Sequence, residues 1–337
     1  MLDIKDTVTD DGSTTFGQSK LIERAPVRMP DEIDLQIIEA LKLDPQATNK
    51  AIAAALGVSE TSIAQRIRSM SEDNIMRVVA QRDIYAGPYS LTAVLLVELK
   101  NMDLKRVGEA IAQIQEVISV SVGTRRPRLI VGLRAKDRQH LDALIREKIG
   151  SVAGVRAIET HIMLKIFKYI TGFGLLALKM PTHLGDHGGD EKDESIIAAL
   201  LEDGRMSNRE IARRLHISES NVRQRLKKMS DERRMRLGVI CDSIAVGKTV
   251  IASGLLKIET PEADAVISKL ISMESVGYVS SITGAYNLFT VVQAADIEEL
   301  NQIYFNEISN ISGVLDVEIE LYATGMKQRY DLIRIRD

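Results

Sequence analysis

The chain has 337 residues, a length that indicates two or more domains. Of its residues 45% are hydrophobic and 27% are charged, a balance typical of globular proteins. Its formal net charge of −3 excludes a polycation, so any nucleic-acid binding requires a local basic patch. The single cysteine, Cys241, excludes an intramolecular disulfide. Because residues 1–20 show no secretory pattern and no apolar run has membrane-spanning length, we predict a cytoplasmic protein.

The sequence repeats itself at a constant shift of 159 positions, so that the segment beginning at Asp31 matches the one beginning at Asp190. The same residue types meet at Asn49 and Asn208, Ile52 and Ile211, Gln65 and Gln224, Arg66 and Arg225, and Met70 and Met229. Two copies of about 150 residues are too few and too long for a solenoid. We therefore interpret the chain as a tandem fusion of one complete unit.

The opening segment of each copy is predicted to be helical. Residues 1–30 lack a sustained period and are predicted to form a mobile arm. The segment 31–77 shows apolar residues at helical spacing, and Ser59 is a suitable N-cap for its third helix. The segment 190–236 repeats this pattern, with Ser218 as the corresponding cap. Two helices joined by a short turn in each segment predict a helix-turn-helix.

The periodicity then changes to apolar, β-rich runs. Residues 90–166 predict the order β-α-β-β-α-β, with a last strand at about 155–165, and residues 249–325 predict the same order. The predicted fold class is therefore α+β, with two tandem copies of a three-helix helix-turn-helix unit followed by a ferredoxin-like sandwich. Residues 167–189 are predicted to link the copies.

The third helix of each unit carries the candidate DNA contacts, because that helix enters the major groove in a helix-turn-helix. In the second copy the candidates are Ser220, Asn221, Arg223, Gln224, Arg225, Lys227 and Lys228. In the first copy they are Thr61, Ser62, Gln65, Arg66 and Arg68. The alternative interpretation is that these residues form solvated faces of a three-helix packing module.

The two candidate helices differ in charge. Residues 220–236 contain seven basic and two acidic residues, a local net charge of +5, whereas residues 61–77 contain three basic and two acidic residues, a net charge of +1. Because neutralisation of phosphates dominates affinity for DNA, the second copy is predicted to bind DNA more tightly than the first.

Three stretches of sequence carry a likeness to a known family. They are DEKDESIIAALLEDGRMSNREIARRLHISESNVRQRLKKM at 190–229, ITGAYNLFTVV at 282–292 and ISGVLDVEIEL at 311–321. With these motifs the chain resembles the Lrp/AsnC (leucine-responsive, feast/famine) transcriptional regulators over nearly all of residues 31–323, as two copies. Single-copy members dominate that family, so the fusion is a departure from its usual pattern.

The resemblance implies that the sandwich dimerises and binds small effectors, commonly amino acids, around a T-G-x-Y-D turn. The matching residues, termed here the effector turn, are Thr283, Gly284, Ala285, Tyr286 and Asn287. Asn287 stands where the family has Asp, which removes a negative charge that could pair with an α-amino group. The expected effector is an amino acid or another small organic acid. A plain turn between strands is an equally weighted alternative.

The first copy departs further from the family turn. Its aligned residues are Thr124, Arg125, Arg126, Pro127 and Arg128, so glycine is lost and three arginines appear. This loop either serves only pairing between the sandwiches or has become an anion site, since clustered arginines suit carboxylates and phosphates. A solvated loop is the favoured interpretation.

These patterns together predict a sequence-specific DNA-binding transcriptional regulator that responds to a small-molecule effector. The two sandwiches are expected to pair as a pseudo-dimer within one chain, and two chains to form a homodimer or larger oligomer. No cofactor and no membrane contact are predicted. No metal site is predicted either, because the five histidines lack metal-ligand spacing: His140, His161, His183, His187 and His216. The alternatives are a siroheme-decarboxylase-like enzyme of haem biosynthesis with the same tandem architecture, and an assembly protein that no longer contacts DNA.

Overall fold

The computed structural model describes residues 28–100, 103–124, 128–169, 173–174, 176 and 190–335. Most of the predicted arm, most of the predicted linker, and Arg125, Arg126 and Pro127 of the first-copy loop lie outside the described residues. Among the described residues, no helix combines the length and the apolar character needed to cross a membrane.

The first copy forms its elements in the predicted order, with one additional strand after the helices and one after the sandwich. In chain order the elements are α1 (Glu32–Leu43), α2 (Asn49–Leu56), α3 (Glu60–Glu72), β1 (Met76–Asp83), β2 (Leu91–Leu99), α4 (Leu104–Ala112), β3 (Val117–Gly123), β4 (Arg128–Ala135), α5 (Arg138–Ala143) with a π-helical continuation (Leu144–Ile149), β5 (Val155–Tyr169) and β6 (Phe173–Gly174).

The second copy repeats this order. Its elements are α6 (Glu191–Glu202), α7 (Asn208–Leu215), α8 (Glu219–Asp231), β7 (Met235–Asp242), β8 (Val250–Ile258), a 3-10 turn (Thr260–Glu262) leading into α9 (Ala263–Ser272), β9 (Val276–Ile282), β10 (Leu288–Ala294), α10 (Ile297–Asn301) with a π-helical continuation (Gln302–Ile308), β11 (Val314–Gln328) and β12 (Leu332–Ile333). The predicted fold class is confirmed in both copies.

Local chemistry fixes the helix-turn-helix units. The side chain of Ser59 accepts a hydrogen bond from the amide of Ser62 at the start of α3, and Ser218 caps α8 through Asn221 in the same way. Gly57 ends α2 in the left-handed conformation, with φ of 68°. The second-copy counterpart of Gly57 is His216, which adopts the same left-handed conformation at the end of α7. A residue with a side chain is strained in this conformation relative to glycine.

Strands β1 and β7 pair antiparallel and join the two helical units, a contact that the sequence patterns did not predict. Val79 lies opposite Gly238, which is its own counterpart at the shift of 159. Met76 lies opposite Cys241 and Arg82 opposite Met235, so the register is symmetric about that central pair. A strand that pairs with its own copy in this way defines a twofold axis, as in a symmetric dimer. The axis here lies within one chain.

The two sandwiches share a closed eight-stranded barrel in the order β10-β8-β11-β3-β4-β2-β5-β9. Two of its contacts cross between the copies. Strand β5 of the first copy pairs with β9 of the second, and β11 of the second copy pairs with β3 of the first. Met163 lies opposite Ile282, and the counterpart pair Tyr322 and Gly123 repeats that register. The barrel therefore follows the same internal twofold axis.

The crossing strands are longer than the sequence patterns predicted. The last strand of the first copy ends at Tyr169 rather than at about residue 165, and β11 ends at Gln328, beyond the predicted end of the second sandwich at residue 325. The extra residues pair with the neighbouring copy, because each sandwich would otherwise expose an unpaired edge. The pairing of the two sandwiches within one chain has the arrangement that the sequence led us to expect.

Each layer has its own apolar core. One core lies between the first sandwich sheet and its helices, and a matching core lies in the second sandwich. A third group of buried residues comes from both copies and lies inside the barrel: Val94, Leu96, Ile130, Met163, Leu255, Ile282 and Phe289. The helical units are buried against the β1–β7 pair, with Val239 in the first unit's core and Ala80 in the second unit's core. Each helical core thus borrows residues from the opposite copy.

The chain end and one arginine tie these layers together. Strand β12 pairs in parallel with β1, and the amide of Arg82 donates to the carbonyl of Asp331 at 2.7 Å. Arg205 of the second helical unit donates to the carbonyls of Pro45 and Ala47 in the first unit, at 3.2 and 2.9 Å. The two helical units are therefore held to each other as well as to the central strands.

Candidate DNA-reading helices and effector turn

Helix α8 presents most of its predicted contact residues to solvent. Ser220, Arg223, Gln224, Lys227 and Lys228 are exposed. Arg223 contacts Glu219 at 3.1 Å and Lys227 contacts Asp231 at 2.7 Å, both one helical turn apart. Exposed pairs of this kind are weak and are easily exchanged for other partners. The basic side chains of this face are thus available to phosphates.

Arg225 has a different environment from its neighbours on α8. Its guanidinium donates to Asp193 at 2.6 Å and to Asp190 at 2.9 Å, both at the start of α6. It also donates to the side chain of Asn221 at 2.9 Å. The hydrogen bond to the buried Asp193 raises the pKa of Arg225, so the guanidinium stays protonated. Arg225 joins α8 to α6 and is not aligned with the exposed cations.

The first copy repeats this ion pair at the counterpart positions. Arg66 on α3 donates to Asp34 at 2.8 Å and to Asp31 at 2.7 Å, at the start of α1. Asp34 is fully buried and also accepts a hydrogen bond from Arg28 at 2.7 Å. A buried carboxylate at a helix N-terminus needs such partners, since removing them would leave an uncompensated charge. Arg66 therefore also has a structural environment.

The remaining first-copy candidates form a less basic surface. Thr61, Gln65 and Arg68 are exposed on α3, and Ser62 is half-buried beneath the cap. Arg68 is the counterpart of Lys227, and at the position of Lys228 the first copy has Ser69, whose hydroxyl donates to Asp73 at 3.1 Å. Helix α3 therefore has the same shape as α8 but carries fewer cations.

The effector turn connects β9 to β10 and contacts the other copy. The amide of Thr283 donates to the carbonyl of Ile162 at 3.0 Å, and the amide of Ile162 donates to the Thr283 hydroxyl at 3.0 Å. Ile162 lies on β5, the crossing strand of the first sandwich. The turn is therefore built from both copies, at the junction that closes the barrel.

His161 lies beneath this turn and is the residue that the sequence patterns missed. It is 2% exposed, its Nδ1 is 3.1 Å from the carbonyl oxygen of Thr283, and its Nε2 is 3.1 Å from a carboxylate oxygen of Glu159. Gly284 has a φ of 125°, and a Cβ there would be 3.1 Å from the His161 ring. Glycine is thus required both by the backbone and by the close approach of the imidazole.

Asn287 and Tyr286 have partners of their own. The Asn287 side chain accepts a hydrogen bond from the amide of Ile258 at 2.8 Å and donates to the carbonyl of Ile258 at 3.0 Å. An aspartate could not make both bonds, because an ionised carboxylate has no donor. The hydroxyl of Tyr286 donates to Asp316 at 3.0 Å, and burial together with this contact raises the pKa of Tyr286 to about 12.

The counterpart turn in the first copy is filled by an ion pair. Arg128 is buried and donates through Nε to Glu320 at 2.7 Å, with a further contact to Glu318 at 3.4 Å. Glu320 is the counterpart of His161 at the shift of 159, and Arg128 is the counterpart of Asn287. The Arg128 guanidinium is thus neutralised from within the chain. The favoured interpretation of a solvated loop is wrong for Arg128, because its side chain is buried in this ion pair. Of the other two interpretations, the contact favours pairing over an anion site.

Metal chemistry has no support within the described ranges. Across those residues, no group of three or more His, Cys, Asp or Glu side chains could hold a metal ion. Cys241 is buried in the core around α1, and burial raises the pKa of its thiol to about 12. A thiol in that environment is a small apolar side chain rather than a nucleophile or ligand.

Two family models match the chain, each of them twice. The AsnC-type helix-turn-helix domain matches residues 31–71 and 190–230, and the Lrp/AsnC ligand binding domain matches residues 92–173 and 255–332. The four matches include α3 and α8 in the first model and the effector turn in the second. Both family models therefore detect the tandem duplication of this chain.

The chain is similar to known regulators over a stretch about as long as one copy. The HTH-type transcriptional regulator FL11 of Pyrococcus horikoshii is 33% identical over 147 residues, which is 43% of this chain and 97% of that protein. The HTH-type transcriptional regulator LrpA of Pyrococcus abyssi is 28% identical over 144 residues, 42% of this chain and 100% of that protein. A solved structure titled siroheme decarboxylase NirDL matches 88% of this chain and 93% of its own, with a TM-score of 0.61 and 15% identity. That likeness shows the fold alone.

The environment of Arg225 generates a prediction about stability. Replacing Arg225 by Ala removes two contacts to the α6 terminus and should lower the free energy of unfolding by about 1–2 kcal/mol, because Asp193 is buried and loses a charged hydrogen-bond partner. Denaturant unfolding followed by circular dichroism measures this loss. The matched control is Lys228→Ala on the same helix, which should be within about 0.5 kcal/mol of the parent. Equal stability of the two variants would contradict the structural role of Arg225.

Proposed function

The chain belongs to the Lrp/AsnC family of transcriptional regulators, and we propose that it reads DNA mainly through its second helix-turn-helix. It is a DNA-binding regulator, and each of its copies matches the ligand binding domain of the family. The observation that carries this proposal is the exposed basic face of α8. The internal twofold axis relates α8 to α3, which is the less basic copy.

The internal axis supports a dimer-like mode of reading. A helix-turn-helix dimer places its two reading helices at half-sites about one helical turn apart, and the pairing of the protein mirrors that of the operator. In this chain the β1–β7 register and the Arg205 contacts hold the two units together as such a pair. We propose that one chain covers both half-sites, with α8 bound tightly and α3 bound weakly.

The exposed residues of α8 divide into two roles. Gln224 and Ser220 are proposed to contact base edges, since an amide and a hydroxyl can donate and accept there. Arg223, Lys227 and Lys228 are proposed to contact phosphates, which provide affinity and little sequence discrimination. Arg225 and Arg66 are proposed to hold the helices rather than the DNA, because their guanidinium groups bind aspartates within the chain.

The effector is proposed to bind at the effector turn of the second copy. The close approach of Gly284 to His161 gives a site built from both copies, and Asn287 supports the turn through the backbone of Ile258. A ligand there would contact the junction between β5 and β9, where the barrel closes across the copies. Ligand binding would then change the contacts between the two copies, and therefore the distance between α3 and α8. The first-copy site is proposed to be inactive, because Arg128 and Glu320 occupy it.

Two chains are proposed to associate through the second sandwich. Ile297, Phe305 and Leu315 are 47%, 58% and 56% exposed on that sandwich. Their first-copy counterparts at the shift of 159 are Arg138, Arg146 and Arg156. Exposed apolar residues in place of three arginines are typical of a surface that is covered in an assembly. Cytoplasmic location fits this function and is part of the same proposal.

A decarboxylase function is the second candidate, because the structure titled siroheme decarboxylase NirDL shares the tandem architecture over most of both chains. Its low identity carries no catalytic residue to this chain. The curated relatives named as regulators match a stretch of this chain about as long as one copy, which favours the first candidate. A shift in the absorbance of siroheme when the protein is added would favour the enzyme, and an unchanged spectrum would exclude siroheme binding at the concentrations used.

Phosphate contacts by α8 predict a specific salt dependence. Lys227→Ala and Lys228→Ala should each reduce the slope of log affinity against log salt concentration by about 1, because each removes one released counterion. Arg68→Ala in the first copy should reduce it by less. Fluorescence anisotropy with a labelled upstream fragment provides the slopes. Arg156→Ala, on the barrel, is the control and should leave the slope unchanged. An effect of Arg68 equal to that of Lys227 would contradict the proposed asymmetry.

The effector turn predicts loss of response without loss of DNA binding. Gly284→Ala should abolish any change in DNA affinity caused by amino acids or small organic acids, because the added methyl group contacts His161 and the left-handed backbone resists a side chain. Gly247→Ala is the matched control: it has a φ of 77° and open space around it, so it reproduces the backbone strain alone. If both variants keep the response, the effector binds elsewhere.

The proposed chain–chain surface predicts a change in mass. Phe305→Arg restores the first-copy residue type and should weaken self-association at least about tenfold, since burying a charge in an apolar contact is unfavourable. Sedimentation velocity over a range of concentrations measures this. Leu43→Arg, which changes an 89% exposed residue of α1's last turn, should leave the mass unchanged. An unaltered mass for Phe305→Arg would exclude this surface.

A further inference from the structure

Arg205 joins the loop before α7 to the loop before α2. Its Nη1 donates to the carbonyl oxygen of Pro45 at 3.2 Å. Its Nη2 donates to the carbonyl oxygen of Ala47 and to the Oδ1 of Asn49, both at 2.9 Å. These three acceptors flank Thr48, the residue that caps the start of α2. Arg205 together with its three acceptors is termed here the Arg205 clamp.

The clamp acts on the reading helix of the first unit through α2. Ile52 of α2 and Ile63 of α3 lie in one buried core, so the two helices move together. A guanidinium is planar and presents its donors in a rigid fork, so its acceptors are held in one geometry. Arg205 is half-buried, which limits competition by water for these acceptors. The clamp therefore fixes where α3 lies relative to the second unit.

The second unit has two further anchors, both on β1 of the first copy. The amide of Gly204 donates to the carbonyl oxygen of Val78 at 2.9 Å, and a Cβ at Gly204 would lie 2.5 Å from that oxygen. The guanidinium of Arg82 donates to Glu194 on α6 at 2.5 Å. These contacts position the unit that contains α8 on the central strands, and they do not involve the clamp.

The first unit has residues at the counterpart positions that cannot form these two anchors. The counterpart of the amide donor is Pro45, which has no hydrogen on its nitrogen. The counterparts of the ion pair are Cys241 and Leu35, which cannot form one. The counterpart of Arg205 is Gln46, whose side chain is exposed. The clamp is therefore one-sided, and it ties the less firmly anchored unit to the more firmly anchored one.

We propose that Arg205 fixes the distance between α3 and α8 and thereby determines which spacing between two DNA half-sites the chain accepts. A helix-turn-helix pair binds half-sites about 10 base pairs apart, because both reading helices must enter the major groove on one face of the duplex. Since the unit of α8 has its own anchors, a change at the clamp displaces α3 alone. Arg205 is thus a positioning residue that acts through α3. The claim about DNA rests on the proposed function, whereas the claim about distance does not.

The first experiment measures the distance between the two helices without DNA. Nitroxide labels are attached at Glu72→Cys and Asp231→Cys, which are exposed counterpart positions at the ends of α3 and α8. The native Cys241 is fully buried and should stay unlabelled. By pulsed electron paramagnetic resonance the parent chain should give one narrow distance distribution. Arg205→Gln should give a distribution at least about twice as broad, because α3 is then free to adopt several positions.

Glutamine is the first-copy residue type at this position, in a turn of the same kind. The amide of Arg205 donates to Asp203 at 2.8 Å, and that of Gln46 donates to Asp44 at 2.9 Å, so Arg205→Gln keeps the backbone contact. Arg106→Gln, at an exposed arginine of α4, is the matched control and should leave the distribution unchanged. A distribution for Arg205→Gln identical to that of the parent overturns the proposal. Should that variant fail to fold, Arg205→Lys, which keeps the charge but not the fork, decides in the same way.

The second experiment measures the accepted spacing on the upstream DNA fragment. Inserting about five base pairs, half a helical turn, between the two protected segments turns the half-sites to opposite faces of the duplex. The parent should lose at least about tenfold in affinity and Arg205→Gln at most about threefold, because a free α3 contributes little to binding before the insertion. Equal losses would overturn the claim about spacing. In a chain that binds no DNA, a broadened distance distribution in Arg205→Gln would refute the proposed function alone, and an unchanged one would refute both claims.

Discussion

The structure depends on the pairing of two strand edges that cross between the copies. Strands β5 and β11 run beyond their own sheets, and each would be an exposed edge if its sandwich stood alone. By pairing with β9 and β3 they close one barrel from two half-barrels, with matching registers on both sides. The same twofold relation appears in β1 and β7, where Val79 lies opposite its own counterpart. Barrel, central strands and helical units thus share one axis.

Placing both halves of a symmetric dimer in one chain allows each copy to change independently. A homodimer must carry the same residue at both positions that its twofold axis relates. In this chain one of two such positions has His161 beneath the effector turn, and the other has the Arg128–Glu320 pair. The reading helices differ in the same way, with local charges of +5 and +1. The fusion therefore keeps the geometry of a dimer while the residues and the local charge of the two copies differ.

Sequence patterns predicted what depends on neighbouring residues. The Ser59 and Ser218 caps and the β-α-β-β-α-β order follow from local propensity and periodicity, and both are found. The β1–β7 pair was not predicted, because its hydrogen bonds join segments about 159 positions apart and leave no local period. The roles of Arg66 and Arg225 were hidden for a similar reason: on a helical wheel they belong to the exposed face, whereas their aspartate partners lie 32 positions earlier. His161 carries no motif, since its neighbour Thr283 comes from the other copy. The exact domain boundaries, and the roles assigned to the site residues, stay predictions.

We propose that one chain acts as an asymmetric, dimer-like reader of DNA. Hydroxyl-radical footprinting of the purified chain on its own upstream DNA, with random competitor present, measures this. Two protected segments about one helical turn apart are expected, one of them clearly deeper than the other. Two equally deep segments would contradict the division of labour between α3 and α8. No protection above that on random DNA, with or without small organic acids, would contradict sequence-specific reading altogether.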